Sequence, residues 1–488
     1  MTTQPPTSDR TSCVGGLPWL LMGMTVVLMI LSGCASHAID RNFQQTQSLT
    51  QNRLGAEVKW LNTDEARRQA QADVDAVLSK PLSADDAVRL ALAYSPSLQS
   101  VLFDSAASSA SATQSARLPN PVFTFERLVR REGGETDLDI GRMLSLSLFD
   151  LLLLPSRLRL ADAQQQQLQW RLAGDVVQAA TTARQNWVRA VAAQQSLQYV
   201  EQVKRAADAS SELARRMQAA GNFSRLQRVR EQAFAADAVA QLARARQAAL
   251  SSREALVRSL GLNEAQARSL QLPDRLPELP KTVKNEAMVF QQAIDQRLDV
   301  RSARTHLEFT ARDQGLSRVT GFVNGFHMGG VRNSETGEPV QKGYELEFPL
   351  PIFDAGDAVR ARSQATYMAA LNRAAQIGVE ASSQVREQYG AYRTAHDLAQ
   401  HYVEEVVPLR KTIAEENLLR YNGMLIGVFE LLADAREQVS SVVQSIEAQR
   451  DFWLADASLQ ATLIGHPTAA PALSTQAATP GGGMAAGH

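Results

Sequence analysis

The stretch that most constrains the fold of this chain is one that almost nothing interrupts. After Pro155 the sequence runs to about Ala219 with Gly174 as its only strong helix breaker. Leu168, Leu172, Val176, Ala180, Trp187 and Val191 recur down one side at steps of three and four. As one helix, roughly 65 residues make a rod of about 100 Å. A helix much longer than about 25 residues does not fit an ordinary globular core and points to neighbours of similar length in a coiled-coil-like arrangement. Composition agrees: 44% of residues are hydrophobic but many of these are Ala, and only 6% are aromatic. That suits long helices packed closely side by side.

The rod has a counterpart. From Asp357 to about Tyr421 the same pattern returns, with Gly378 and Pro408 as expected interruptions. Pro408 predicts a kink or a new helix, because proline removes a backbone hydrogen bond. The flanking segments also match, so the chain reads as two copies of one plan. Copy one opens with LSADDAVRLALAYSPSLQSVLFD (Leu82–Asp104) and copy two with NEAMVFQQAIDQRLDVRSART (Asn285–Thr305). Each is an amphipathic helix, a polar break and a second helix, and Ser83 with Asp86 makes a variant capping box. Each rod ends in a glycine-containing turn, QAAGNFSRLQRV (Gln218–Val229) and RYNGMLIGVFELLADA (Arg420–Ala435). A returning helix then closes near Gly261 and Gly465. The proline-rich LPDRLPELPK (Leu272–Lys281) joins the copies, and the tail after Pro467 has the composition of a disordered segment.

Each copy carries a strand pair ahead of its rod. In copy one, Asn120–Val129 and Leu138–Phe149 flank RREGGETD; in copy two, Thr320–Val331 and Gly343–Phe353 flank RNSETGEPVQK. Leu144, Leu146 and Leu148 share one face, with Ser145 and Ser147 opposite; Tyr344, Leu346 and Phe348 share one face, with Glu345 and Glu347 opposite. Seven of the 15 Phe (Phe123, Phe125, Phe149, Phe322, Phe326, Phe348 and Phe353) fall in these short zones. Such clustering favours strands that face an apolar medium, and a small soluble hairpin on a core is the alternative.

Leu17–Leu31 is an apolar run of about 15 residues, too short for a membrane-spanning helix of roughly 20 and suited to a signal-peptide core. It ends in LSGC, Leu31–Cys34, small residues before a cysteine as in a bacterial lipobox, with Cys34 as the lipid attachment site. An ordinary signal peptide with an incidental cysteine is the alternative. Ala35 follows, where an Asp would suggest inner-membrane retention, and Cys13 lies upstream of the cut. With two cysteines, no disulfide framework is available. No other apolar run reaches about 18 residues, so a membrane crossing would have to be made by strands.

A net charge of −1 gives no reason to expect a nucleic-acid partner. The seven His are scattered, and no HExxH, GxSxG, Walker A or GxGxxG arrangement occurs. His396 and His401, five apart, do not share a helix face. The expectation is no enzyme, no catalytic residue, no cofactor and no metal site.

The ordered set of helices, hairpin, LSLSLFD or PLPIFDAG, rod, glycine turn and return helix, twice over and behind a lipobox, resembles the outer-membrane efflux protein family, the TolC-like channels, over about residues 82–465. The resemblance implies a mostly α fold with a small β part. Two repeats of long antiparallel helices plus a β-hairpin would assemble as a homotrimeric α-helical barrel continued by a transmembrane β-barrel. The parts would be a signal peptide (1–33), a lipidated N-terminal segment (34–81), a first repeat with its linker (82–281), a second repeat (282–465) and a tail (466–488). It implies the channel of a tripartite efflux system, lipid-anchored in the bacterial outer membrane and extending into the periplasm, with a periplasmic adaptor protein, an inner-membrane pump and outer-membrane lipid as partners. The alternatives are the exit channel of a type I protein-secretion system and a periplasmic coiled-coil lipoprotein that forms no channel.

On this resemblance Leu144, Leu146, Leu148, Tyr344, Leu346 and Phe348 face lipid, while Glu126, Glu345 and Glu347 face the pore and favour cations; plain solvated strand faces are the alternative. The periplasmic gate and adaptor-docking tip would hold Gly221, Gln227, Tyr421, Gly423, Phe429, Glu430 and Asp434. Tyr421 matches a gate tyrosine of the family. The basic residue that often follows the glycine is missing from GMLIGVFE, and Gln227 stands where an Asp is common. Apolar packing by Met424, Leu425, Ile426 and Phe429 is expected in their place. Glu430 and Asp434, four apart on one helix face, would form acidic rings at the mouth or simply a solvated face.

Overall fold

The computed structural model describes residues 34–320, 325–350 and 352–466, with the side chains of 34–38, 52, 132, 294–296, 317–320 and 429 excepted. The apolar leader and the tail after Pro467 lie outside these residues. Helices α1 (Cys34–Leu54), α2 (Asp64–Val77), α3 (Ala84–Tyr94) and α4 (Pro96–Ser115) lead to strands β1 (Val122–Glu132) and β2 (Glu135–Ser147). Then come α5 (Leu148–Ala219), α6 (Arg225–Leu260) and the short α7 (Glu264–Ser269). Copy two follows as α8 (Glu286–Gln296), α9 (Leu298–Thr320), β3 (His327–Glu335), β4 (Gln341–Glu347) and α10 (Asp357–His401). A π-helical turn (Tyr402–Val406), α11 (Val407–Asn422) and α12 (Val428–Ile464) complete it.

Two compact units are present. One holds Ser105–Gln165, Val319–Ala355 and the residues up to Gln45; the other holds Thr46–Asp104, Gln166–Arg318 and the chain from Gly356. Both units therefore draw on both sequence copies.

The first unit contains a four-stranded antiparallel sheet in the order β1-β2-β3-β4. Gly133 and Gly134 both have positive φ, 62° and 94°, as a two-residue type I′ turn demands. This turn lets the strands run through most of RREGGETD, which the sequence reading treats as loop. Leu148 is not a strand residue. Ser147 Oγ accepts the Asp150 N–H at 3.2 Å and starts α5, while the Leu148 N–H bonds to the Phe326 carbonyl at 2.9 Å. The rod thus begins before Pro155, which it contains as an internal residue. Phe348 also lies outside the strands. β4 ends at Glu347, ahead of Pro349, and the Phe348 ring stacks on Phe326 with centroids 4.5 Å apart. Of the strand expected at Thr320–Val331, Thr320 belongs to α9 and β3 starts at His327; residues 321–324, Phe322 among them, lie outside the described residues.

The second unit shows why two copies make one body. Trp187, buried on α5, donates its indole N–H to the Leu82 carbonyl at 2.7 Å and sits in a core with Leu90, Val191, Leu256, Leu260 and Ile446. In copy two, Tyr392 on α10 packs with Phe452, Val385 and Leu459, and its hydroxyl accepts the Lys284 N–H at 3.4 Å. Burying each such large apolar side chain contributes about 1.5–3 kcal/mol. Ser83 caps α3 by accepting the Asp86 N–H at 3.0 Å, and the Asp86 carboxylate accepts the Ser83 hydroxyl at 2.7 Å.

The return helices end alike. Gly261 closes α6 at φ 72° and Gly465 closes α12 at φ 91°. A Cβ on Gly261 would lie 2.1 Å from Pro96 Cδ, at the α3–α4 break; one on Gly465 would lie 2.6 Å from the Leu298 nitrogen, at the α8–α9 break. Each copy closes on its own polar break through a glycine that no other residue replaces. Gly378 does not interrupt α10. Pro408 lies inside a continuous run of helix just after the π-helical turn Tyr402–Val406, and that wider turn accommodates the N–H that proline lacks, so no new helix starts there.

Candidate functional site

Two regions carry the chemistry, and the sheet is the first. Its register sorts side chains onto two faces. Glu126 pairs with Gly141 and Gly141 with Asn333; Ser145 pairs with Gly329 and Gly329 with Glu345; His327 pairs with Glu347. A Cβ on Gly141 would sit 3.3 Å from Glu126 Cβ and 3.5 Å from Asn333 Oδ1, so this row shares one side. Glu126, Glu345 and Glu347 therefore lie on one face, together with Asp137, Asp139 and Glu335. The opposite face carries Phe123, Phe125, Leu144, Leu146, Met328, Tyr344 and Leu346, most of them exposed. Leu148 and Phe348, expected on that face, are off the sheet for the reasons given above. Next to the strands, Phe353 is fully exposed (101%), as is most of Leu350 and Ile352. β1 and β4 are the sheet's edges.

The second region is the pair of helix turns. In copy one Gly221 takes φ 79°, and the Asn222 N–H reaches back to the Met217 carbonyl at 2.9 Å, a Schellman closure. Gln227 is engaged in the cap of its own helix. Its N–H bonds to Ser224 Oγ at 3.2 Å and its amide oxygen accepts the Ser224 N–H at 2.9 Å, forming the capping box of α6. In copy two the left-handed position falls on Met424, φ 57°, while Gly423 has φ −80°. The Leu425 N–H bonds to the Arg420 carbonyl at 2.8 Å, the same closure with a methionine where glycine is usual. Met424 and Leu425 project into solvent, 93% and 75% exposed, and Tyr421 is partly exposed beside them. Glu430 is exposed on α12. Asp434 is half-buried and accepts a hydrogen bond from Asn417 of α11, so it braces its own hairpin. The Phe429 side chain lies outside the described residues.

A clasp that the sequence reading missed joins the two hairpins. Glu231 on α6 is 5% exposed. One of its carboxylate oxygens accepts the Ser210 hydroxyl of α5 at 2.5 Å and also takes the guanidinium of Arg436 on α12. The Arg436 guanidinium lies 3.6 Å from the Phe234 ring centroid, a cation–π contact. Next along, Glu437 pairs with Arg410 of α11 at 3.3 Å. All these residues lie within about three turns of the helix tips. Arg436 of the second hairpin thus meets a buried acid of the first.

His396 and His401 are not brought together. His396 is buried, donates from Nε2 to the Pro280 carbonyl at 3.1 Å and packs edge-on against Phe452; His401 is exposed beside Glu405. Among the described residues no group of three or more His, Cys, Asp or Glu could hold a metal ion. Nor, among them, is any helix long and apolar enough to cross a membrane.

No protein-family model matches the chain, and no curated protein matches it by sequence. Solved structures do. The CmeC outer membrane channel of Campylobacter jejuni superposes with a TM-score of 0.66 at 14% identity, covering 80% of this chain and 87% of that one. VceC, an outer membrane protein of Vibrio cholerae, gives 0.62 at 14% identity, covering 82% and 98%. The MtrE outer membrane channel of Neisseria gonorrhoeae, in its open state, gives 0.56 at 19% identity, covering 78% and 89%. The chain has the fold of these outer-membrane channels, mostly helical with a small antiparallel sheet.

Proposed function

We propose that this chain is the outer-membrane channel of a tripartite efflux system, a homotrimer that passes substrates received from an inner-membrane pump through a periplasmic adaptor protein. The observation that carries the reading is the two-faced sheet. One face is apolar and exposed over the helix-side rows of the strands, with cations nearer the hairpin turns; the other is lined with carboxylates, and both edges are open. A sheet edge in lipid leaves backbone groups without partners, at several kcal/mol each. Four strands cannot close on themselves, so β1 and β4 of neighbouring copies would pair and make a twelve-stranded barrel of three chains.

In that barrel Phe123, Leu144, Leu146, Tyr344 and Leu346 face the lipid. Glu126, Glu345 and Glu347 face the lumen, where they raise the local concentration of cations. The helical repeats form the periplasmic part. The turns at Gly221–Gln227 and Tyr421–Asp434 form its tip, where Met424 and Leu425 offer an apolar surface to the adaptor. Glu430 lines the mouth. Cleavage before Cys34 and acylation of its sulfur tether the chain to the outer membrane.

The test is planar-bilayer conductance of the protein extracted from membranes, with the mass of the oligomer taken on the same sample. A conducting trimer is the expected result. A monomer or dimer that does not conduct would place the hairpins in soluble packing and make this a coiled-coil lipoprotein.

A further inference from the structure

The apolar face of the sheet is crossed by a row of cations. Arg142 of β2 is the cross-strand partner of Arg332 of β3, and Arg332 is the partner of Lys342 of β4. Arg127 of β1 shares this face, two residues beyond Phe125, the partner of Arg142. Directly opposed side chains have Cβ atoms about 4.5–5.5 Å apart, and like charges so placed repel. Among the described residues none of the four has an ion-pair partner. The acids of the strands stand on the other face, so no carboxylate of the sheet relieves the repulsion.

The row has a definite height. On its helix side lie two apolar rows, Phe123, Leu144 and Tyr344, then Leu146, Met328 and Leu346. Rows on one face are about 7 Å apart. On its hairpin side the face is mixed, with Arg131 following Val129 on β1. Apolar rows below three adjacent cations match a molecule with acyl chains at one end and phosphates at the other.

We infer that Arg142, Arg332 and Lys342, with Arg127, bind the phosphates of a multiply acylated, phosphorylated glycolipid of the outer leaflet, whose chains lie along the apolar rows. The inference rests on the channel reading, which sets the apolar face toward lipid and the hairpin turns toward the outer leaflet. Arginine suits the task because its planar fork binds phosphate oxygens in pairs. Filling the row with phosphate removes the repulsion that the register creates.

The test uses detergent-extracted protein and native mass spectrometry to count retained lipid. The probes are diphosphoryl lipid A, monophosphoryl lipid A and phosphatidylglycerol. Wild-type protein should retain diphosphoryl lipid A best. Arg142→Gln/Arg332→Gln/Lys342→Gln should retain about tenfold less or lower still, since each cation near an anionic surface contributes to binding; Arg332→Lys should retain most of it. Should the triple variant fail to assemble, Arg332→Gln alone carries the same reading through a smaller loss. Undiminished retention by the variants, or equal retention of phosphatidylglycerol, overturns the assignment. Conductance on the same samples separates the two readings. A conducting trimer whose lipid content ignores the substitutions, but whose anion preference falls, would place this row in the lumen and leave the channel standing. Absence of both trimer and conductance would remove the channel itself.

Discussion

Glu231 and Arg436 meet across the two helical hairpins, 205 residues apart in sequence, with the acid buried and the guanidinium partly exposed. Removing the cation leaves a buried carboxylate held, among the described residues, by the Ser210 hydroxyl alone. Breaking a fully buried pair costs about 3–5 kcal/mol. Because Arg436 retains some solvent, about 2–3 kcal/mol is the expected loss for Arg436→Met. The hairpins should then separate at their tips. Bilayer recordings should show a higher open probability than wild type, and Glu231→Gln, which keeps a hydrogen bond to Ser210, should show a smaller rise. Unchanged currents in both variants would mean that the clasp holds the fold and not the gate.

The two closing glycines and one rod glycine behave oppositely. Gly465→Ala forces a Cβ to 2.5 Å from the Asp299 carboxylate and 2.6 Å from the Leu298 backbone nitrogen, at φ 91°. A loss of about 2–4 kcal/mol follows from strain and overlap. Gly378 sits mid-helix with nothing near its absent Cβ. Gly378→Ala should stabilise by about 0.5–1 kcal/mol, since glycine loses more backbone freedom on folding. Thermal unfolding of the two variants side by side would check both signs; destabilisation by Gly378→Ala would show that a neighbouring chain packs on this position.

Much of this arrangement is legible in the sequence. The rods, paired short helices and closing glycines follow from period and breakers, because each is a local property. The strand faces at Leu144–Leu146 and Tyr344–Leu346 follow from alternation. What is not legible depends on register or on distant pairing. LFDLLLLP looks like the end of a strand until Ser147 and the Phe326 carbonyl are seen to start a helix there. FERLVRRE does not alternate cleanly, so the row Arg142–Arg332–Lys342 exists only once three strands are aligned. At the second tip the glycine signal points to Gly423, yet the left-handed residue is Met424. Glu231 and Arg436 are ordinary surface charges in sequence, and only the packing of α6 against α12 makes them a pair.

Glu447 on α12 lines a cleft of about 910 Å³ with Arg189, Arg436, Arg450 and Asp451. Burial raises its pKa above the ordinary carboxylate value, with Asp451 adding to the rise and Arg450 opposing it. A folded-state pKa above the unfolded one means that stability falls as pH climbs through that window and stays lower above it. Glu447→Gln should therefore raise the melting temperature at pH 7.5. The gain should vanish at a pH below the unfolded carboxylate value of about 4.3, where both states are protonated. A gain that persists at low pH would trace to packing instead of charge.

Cys34→Ala should abolish incorporation of radiolabelled palmitate into the mature chain. Persistent labelling would place the lipid elsewhere or remove the anchor.

Adjacent strand positions give the sharpest test of the faces. Leu146 pairs with Met328, itself the partner of Leu346, and Ser145 pairs with Val122 and Gly329, so the two point to opposite sides of β2. Leu146→Arg sets a charge among the apolar rows, and an arginine facing lipid near the bilayer centre costs about 2–4 kcal/mol. Trimers recovered from the outer membrane should fall several-fold. Ser145→Arg sets the same charge beside Glu345, on the acidic face, where it should be tolerated in assembly. It should lower the preference for cations, read as a shift in reversal potential under a salt gradient. Impaired assembly by Ser145→Arg together with normal assembly by Leu146→Arg would reverse the faces, place the carboxylates against lipid and exclude the barrel as drawn.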